Sequence, residues 1–310
     1  MPVNPGLGDS FLLMCKDVAV YDVSASEVLN EDLLPGAMMR GTMGYDEWMK
    51  LRYSAGSNVS ARRLMLRAFG TDNHNNVLKA TRALSLSDCY WLKERDEDVR
   101  FDDITPYLHR EWDGSGTFAG GSISTLFVNG NADKRWIDAN TLMKVNSRKE
   151  IDAYTLCIAL GLEKYAAKAT VSGTDFFVTN FTSTTRFLES LEQSGYVGEY
   201  DDARSVAVAM FKEQATALFT VDYLIESDDR HWGNVGLLRD ADTGEYLGMA
   251  PYYDFDWIWT DGVIPLPSSA IHEHSKYIKM LCDKAKSVAP EYENGAIITK
   301  RADELLHQLT

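Results

Sequence analysis

Asp229-Arg230-His231-Trp232-Gly233-Asn234, followed downstream by Asp254-Phe255-Asp256, sets the reading of this chain. An Asp that can take a proton precedes an Asn that can hold a metal, and a second Asp follows at a predicted strand end. These residue types, in this order, suit a phosphoryl-transfer centre, where a hydroxyl is oriented and a metal-bound phosphate is held. The flanking pattern places them. Residues 203–226 read as a long helix, with Val206, Met210, Ala217, Val221 and Leu224 at spacings of three, four or seven. Residues 235–238 and 247–253 read as a hairpin around the Asp242-Thr243-Gly244 turn. Asn234 then opens one strand and Asp254 closes its partner, so both face the same end of one hairpin. Mg²⁺ takes oxygen ligands, and this pair supplies them.

Each residue also has a plainer reading. Asp, Gly and Asn are ordinary turn residues, and only the whole set behind a long helix favours chemistry. Asp229 is the candidate catalytic residue. His231 is a second candidate for that role, or a structural histidine. Arg230 reads as the partner of a neighbouring acid. Asp256 is either a further metal contact or surface charge.

Upstream, Gly114, Gly116, Gly120 and Gly121, with Ser115, Ser122 and Ser124, make a loop whose backbone N–H groups suit phosphate oxygens. A plain hairpin fits it equally well. Residues 123–128 read as a strand, Asn129-Gly130-Asn131 as its turn, and 134–137 and 141–145 as further strands. Lys144 ends the last of these, where a nucleotide-binding lobe sets a lysine against phosphates. Ser147-Arg148-Lys149-Glu150 has the capping-box pattern for a helix to Leu160, closed by Gly161. Glu150 therefore has two readings, a cap and a partner of Lys144. Residues 176–178 form another strand. Val178, Asn180 and Phe181 then fall on a connection whose backbone could bind an adenine edge, or on a simple turn. Residues 186–193 read as a helix, and 275–310 as two closing helices.

The N-terminal third is less informative. Residues 17–23 suggest a strand, Pro35-Gly36 a break, and 45–92 a largely helical region. The chain has 310 residues, 45% of them hydrophobic, enough for a substantial core. Lys and Arg number 31 against 46 Asp and Glu, a formal charge of −15. Such a chain repels nucleic acid and anionic membrane, and Arg62, Arg63 and Arg67 fit a solvated helix face better than a binding patch. Cys15, Cys89, Cys157 and Cys282 lie far apart without metal-ligand spacing, which points to a reducing compartment. No apolar run reaches the ~18 residues of a membrane span, and residues 1–12 lack a secretory signal pattern. A cytoplasmic protein is expected.

Asp-Arg-His-x-x-Asn followed by a strand-end Asp-Phe-Asp resembles the atypical kinases. One branch is the HipA-like and CtkA-like bacterial Ser/Thr kinases; the other is the phosphatidylinositol kinases, whose catalytic loop reads likewise. The order of Gly-rich loop, strand lysine, helix, connection, long helix, catalytic loop and metal Asp is similar to the first branch. The resemblance covers roughly residues 113–310. It implies Asp229 as catalytic Asp, Asn234 and Asp254 as Mg²⁺ ligands, Lys144 on the phosphates, a hinge near Asn180, and ATP as cofactor. It also implies autophosphorylation on a serine of the Gly-rich loop, with Ser115, Ser122 and Ser124 as candidates, and an antitoxin-type partner. Asp256 departs from the Gly of the phosphatidylinositol branch, and the Gly-rich loop matches no strict consensus.

The expectation is an α+β, two-lobed protein-kinase-like fold with a β-rich N-lobe and a helical C-lobe. Its parts are an N-terminal extension over 1–112, a nucleotide-binding lobe over 113–180 and a catalytic lobe over 181–310. The expected activity is ATP- and Mg²⁺-dependent transfer to a Ser/Thr hydroxyl of a protein substrate, without direct nucleic-acid or membrane binding. The alternatives are a small-molecule or lipid kinase and an inactive kinase-like binding module.

Overall fold

The computed structural model describes residues 11–52, 66, 70, 71, 73–108, 134–145, 147–196 and 202–310. In the N-terminal region, β1 (Phe11–Cys15), β2 (Val18–Asp22), β3 (Glu27–Val28) and β4 (Tyr90–Glu94) form an antiparallel sheet ordered β3-β2-β1-β4. Helices α1 (Gly36–Met39), α2 (Tyr45–Leu51), α3 (His74–Ala80) and α4 (Phe101–Ile104) accompany it. Leu13, Val20, Trp48, Leu78, Trp91 and Phe101 build its core, together with Phe187 from far along the chain.

The second sheet is made of β5 (Lys134–Asp138), β6 (Thr141–Lys144), β7 (Ala169–Ser172) and β8 (Asp175–Thr179), antiparallel in the order β5-β6-β8-β7. Between β6 and β7 runs α5 (Arg148–Leu160), whose Ile151 and Tyr154 pack on Leu142, Ala169 and Val178. Gly161 ends α5 in the left-handed region, φ 78°, which a Cβ would oppose.

The remainder is mainly helical. It comprises β9 (Arg186–Ser190), α6 (Leu191–Ser194), α7 (Ala203–Phe211), α8 (Glu213–Leu224), β10 (Gly236–Asp240), β11 (Tyr246–Met249), α9 (Ser268–Val288) and α10 (Gly295–Gln308). The strands make a sheet ordered β11-β10-β9. Residues Ala215 to Leu224 of α8 are all buried, so this helix is the axis of the C-terminal core. No helix among the described residues is long and apolar enough to cross a membrane. The four cysteines are free and buried.

The N-terminal region is fastened to this third sheet through Arg239, whose side chain is fully buried. Its guanidinium donates to Asp32 O (2.6 Å), Leu34 O (2.7 Å), Gly244 O (2.6 Å) and Glu189 Oε1 (3.2 Å). A buried charge is tolerable only when paired and hydrogen-bonded, as here. Gly244 is required at the β10–β11 turn: its φ is +76°, and a Cβ would meet Asp32 O at 2.0 Å.

Three expected elements change. Residues 45–92 are not uniformly helical, because 90–94 form β4. Cys89 to Leu92 are all buried, so this stretch carries neither a helical nor a strand period. Residues 186–193 form β9 and a single turn, α6, rather than a helix, since β9 pairs with β10 over five positions. The long helix over 203–226 is broken at Lys212, φ 47° and ψ −117°, and both halves, α7 and α8, pack on α9. The strands at 17–23, 134–137, 141–145 and 176–178 stand, each to within a residue or two. The hairpin also stands, but β11 ends at Met249 and not at 253, because the chain then leaves β10, so Asp254 lies on the segment after the strand and does not close it. The strand over 123–128, its turn, the Gly-rich loop with Gly116, Gly120, Gly121 and Ser122, and Arg62, Arg63 and Arg67 lie outside the described residues.

Candidate active site

Lys144 ends β6 with its side chain buried, 3% exposed. Its Nζ donates to a carboxylate oxygen of Glu150 on α5, to Asp254 Oδ1 at 3.0 Å and to Asp256 Oδ2 at 3.1 Å. An ammonium has three donors, and each reaches a different carboxylate. Burial works against the lysine charge, but the fields of Glu150, Asp254 and Asp256 outweigh it and raise the pKa above the ordinary lysine value.

Glu150 was open to two readings, and the capping box is the one that fails. Ser147 makes no side-chain cap at the start of α5. Glu150 instead turns to Lys144 and accepts the backbone N–H of Phe255 at 3.0 Å. Asp254 follows β11 with φ 63°, a left-handed conformation that Asp tolerates better than most residues and that is found at functional sites. Glu150, Asp254 and Asp256 each place an oxygen within 4.8 Å of the others. These three carboxylates surround the Lys144 ammonium, and of these hard oxygen donors, the kind Mg²⁺ takes, Asp254 is the most exposed.

The 229–234 loop leaves the end of α8. Asn234 is buried, and its side chain ties the loop to itself: Nδ2 donates to Asp229 O at 2.5 Å, and Oδ1 accepts from the His231 N–H at 3.0 Å. The carboxylate of Asp229 is left at the surface of this loop. Partial burial pushes its carboxyl above the ordinary range; Asp254 adds to the shift, and His231 and Arg230 oppose it. His231 is exposed, and its Nδ1 accepts the Gly233 N–H at 3.0 Å, so it shapes the turn. Downstream of Asp256 the chain returns to the end of α8, with the Trp259 N–H on Ile225 O (2.9 Å) and the Thr260 hydroxyl on Glu226 O (3.0 Å).

The expected adenine connection is partly spent on structure. Val178 sits in β8 between β6 and β7, paired with Leu142 and Ala169. The Asn180 N–H donates to Asn140 O at 2.8 Å, and its side chain bonds Ala139 O and Thr182. Those two positions therefore serve the sheet and the turn after it. Phe181 is placed differently, with its ring 5.7 Å from that of Tyr253, the neighbour of Asp254.

No protein-family profile matches the sequence, and no curated protein matches it. Among solved structures, 97% of this chain aligns with 96% of a chain in the Shewanella oneidensis MR-1 toxin–antitoxin complex of HipA, HipB and operator DNA, at 12% identity and a TM-score of 0.55. The chain has a HipA-like fold. The Helicobacter pylori proinflammatory kinase CtkA also aligns, over 58% of this chain and 91% of its own, at 15% identity and a TM-score of 0.40.

Within this HipA-like fold, Arg230 joins the parts of the site. Its guanidinium is buried and forms a two-pronged pair with Asp222 of α8, at 2.9 and 3.0 Å. The same guanidinium donates to Asn234 O (3.0 Å) and Tyr253 O (2.8 Å) and lies over the Phe255 ring. Helix α8, the 229–234 loop and the segment after β11 thus meet on one side chain. Sequence reasoning left Arg230 with an unspecified acid and did not single out Asp222. Its eight-residue spacing from Arg230, across the end of a helix, gives no local signal of contact. The pattern predicts a helix cap at Ser147, whereas its Oγ donates to Asp256 Oδ1 at 2.7 Å.

The carboxylate cluster makes a testable expectation that needs no activity. Lys144→Ala removes the counter-charge from Glu150, Asp254 and Asp256. Added Mg²⁺ or Ca²⁺ should then raise the melting temperature of the variant more than that of the wild type. A variant indifferent to both ions would count against a cation site.

Proposed function

We propose that this protein is a kinase that transfers the γ-phosphoryl group of ATP, with Mg²⁺, to a Ser or Thr hydroxyl of a protein. The observation that carries this reading is the meeting of Lys144, from a strand, with Glu150, from a helix, and with Asp254, on the segment that follows β11. In the proposed assignment Asp254 holds the cation, with Asn234 as its companion, and Lys144 holds the phosphates. The Gly-rich residues Gly116, Gly120, Gly121 and Ser122 are assigned to the phosphates, and Phe181 to the adenine. Bound Mg²⁺-ATP would supply the phosphoryl group and part of the charge that neutralises it. Asp229 accepts or orients the proton of the incoming hydroxyl, and its surface position leaves it accessible to an acceptor. Arg230 and Asn234 keep the loop in shape while this happens. His231 shapes the turn through Nδ1, which accepts the Gly233 N–H, and its second ring nitrogen is the one proposed for proton transfer beside Asp229.

The domain assignment proposed is the N-terminal extension over 1–112, the nucleotide lobe over 113–180 and the catalytic lobe over 181–310. A cytoplasmic, bacterial setting and an antitoxin-type partner are proposed from the HipA-like fold, since HipA was solved with HipB. Transfer to a small molecule or lipid uses the same residues. The net charge of −15 disfavours an anionic lipid surface as the place of reaction.

Intact-mass spectrometry with Mg²⁺-ATP, wild type beside Asp229→Asn, tests the reading. A gain of phosphate in the wild type alone supports a kinase that phosphorylates itself. With a panel of protein, lipid and small-molecule acceptors, transfer to none of them and no stabilisation by Mg²⁺-ATP would remove the nucleotide from the account. Stabilisation without any transfer would favour a binding module.

The raised pKa of Asp229 carries a sign. Its proton-accepting form is reached at a higher pH than for an ordinary Asp, so the acid limb of kcat/KM should lie above the usual carboxylate value. For stability the same shift works the other way. The folded state holds this proton to a higher pH than the unfolded chain, so stability is lost as pH rises between the two pKa values. Asp229→Asn removes that loss, and its stability should fall less than the wild type's over the same interval. Parallel denaturation profiles at several pH values check it.

A further inference from the structure

We propose that Ser147 and Asp256 form a positioning pair that holds Lys144 at the nucleotide, and that Asp256 is not a direct ligand of the cation. The inference rests on the kinase reading of the site above. The three carboxylates around Lys144 are not equivalent. The side chain of Asp254 is 29% exposed, that of Asp256 13% and that of Glu150 5%. Asp254 faces outward and Glu150 is sealed in. Asp256 lies between them with both oxygens engaged, Oδ2 by Lys144 at 3.1 Å and Oδ1 by Ser147 at 2.7 Å.

Ser147 is itself buried and stands at the start of α5, where a serine would ordinarily cap the helix. Here the first turn is closed by the backbone, with the Glu150 N–H on Ser147 O at 3.1 Å, and the hydroxyl is left for Asp256. The bond therefore joins the first turn of α5 to the segment after β11 that also carries Asp254. Glu150 lies on the same turn and accepts the Phe255 N–H, one residue before Asp256. Two contacts from one helical turn thus grip consecutive residues, Phe255 and Asp256. Lys144 lies within that grip, its three donors each directed to one carboxylate. Loss of the Ser147 hydroxyl frees Asp256 to rotate and loosens one of the three anchors of Lys144.

The test is a double-mutant cycle on the full chain: Ser147→Ala, Asp256→Ala, the double variant, and Ser147→Thr. Nucleotide Kd is read with a fluorescent ATP analogue, and Mg²⁺ half-saturation is read at fixed nucleotide. Each single variant should weaken nucleotide binding about 5- to 10-fold, the scale of a coupled pair. The double variant should be no weaker than the worse single, and Ser147→Thr, which keeps the hydroxyl, should bind as the wild type does. The Mg²⁺ half-saturation of Asp256→Ala should stay within about 2-fold of wild type, whereas that of Asp254→Asn should rise at least ~10-fold. A purely structural role would lower melting temperatures without this pattern. Multiplying effects in the double variant, or a Mg²⁺ shift in Asp256→Ala matching that of Asp254→Asn, would overturn the pair and leave the kinase reading standing. A wild type that binds no Mg²⁺-nucleotide would overturn the kinase reading first, and the pair with it.

Discussion

Asp229→Asn is expected to lower turnover by roughly 10²–10⁴ while leaving nucleotide affinity within a few-fold of wild type. The carboxamide matches the carboxylate in size but cannot take a proton. The loop should survive the change, because Asn234 Nδ2 bonds the backbone oxygen of residue 229 and not its side chain. The contacts assigned to nucleotide binding come from Lys144 and Asp254, on other elements. Asp254→Asn should show the opposite pattern, with divalent-cation-dependent nucleotide binding lost. Asn is the better probe there than Ala, since the φ of 63° at this position suits Asn and strains Ala. Calorimetric titration with Mg²⁺-ATP, beside steady-state rates on an accepted substrate, separates the two. Full activity in both variants would remove the assignment of the site.

Asp222→Ala should be the most destabilising single change near the site, by about 3–5 kcal/mol. It strands the Arg230 guanidinium, which is buried and cannot shed its charge. Burial lowers the Arg230 pKa and the charge and hydrogen bonds of Asp222 more than restore it, whereas burial raises the Asp222 carboxyl above the ordinary range against the pull of Arg230; the two-pronged contact at 2.9 and 3.0 Å holds the two as an ion pair. The reverse change, Arg230→Met, should cost less, because a stranded Asp222 can escape by taking a proton. The gap between the two variants should widen as pH falls through the titration of the stranded carboxyl. Denaturant midpoints at neutral and mildly acidic pH measure this. Equal midpoints for the two variants at both pH values would show that the pair carries little of the loop's stability.

These two expectations differ in how far the sequence alone reaches them. Asp229, Asn234 and Asp254 can be proposed from the sequence because their pattern is local. Six residues make the loop, and the hairpin returns the chain toward it, so that Asn234 O and Tyr253 O share the Arg230 guanidinium. Lys144 is readable for a similar reason, since it ends a strand just before a helix. Asp222 is not readable in this way. It belongs to a helix buried on every side, so the periodicity that marks an amphipathic face is absent, and nothing local pairs it with Arg230. Ser147 misleads for a related reason. A serine three residues before a glutamate has the capping pattern, but both side chains have stronger partners that arrive from Asp256 and Lys144.

The same division runs through the fold. Local patterns suffice for the strands at 134–138 and 141–144, for α5 with its closing Gly161, and for the β10–β11 hairpin with Gly244, since each depends on neighbours within a few residues. Strand β4 and strand β9 are decided by distant partners. Tyr90 to Leu92 are buried throughout and become a strand because β1 pairs with them, and 186–190 become one because β10 does. The buried guanidiniums of Arg239 and Arg230 are the clearest case. A sequence records a charge and its chemistry, but whether that charge meets solvent or a ring of carbonyls and carboxylates depends on which chain segments pack around it.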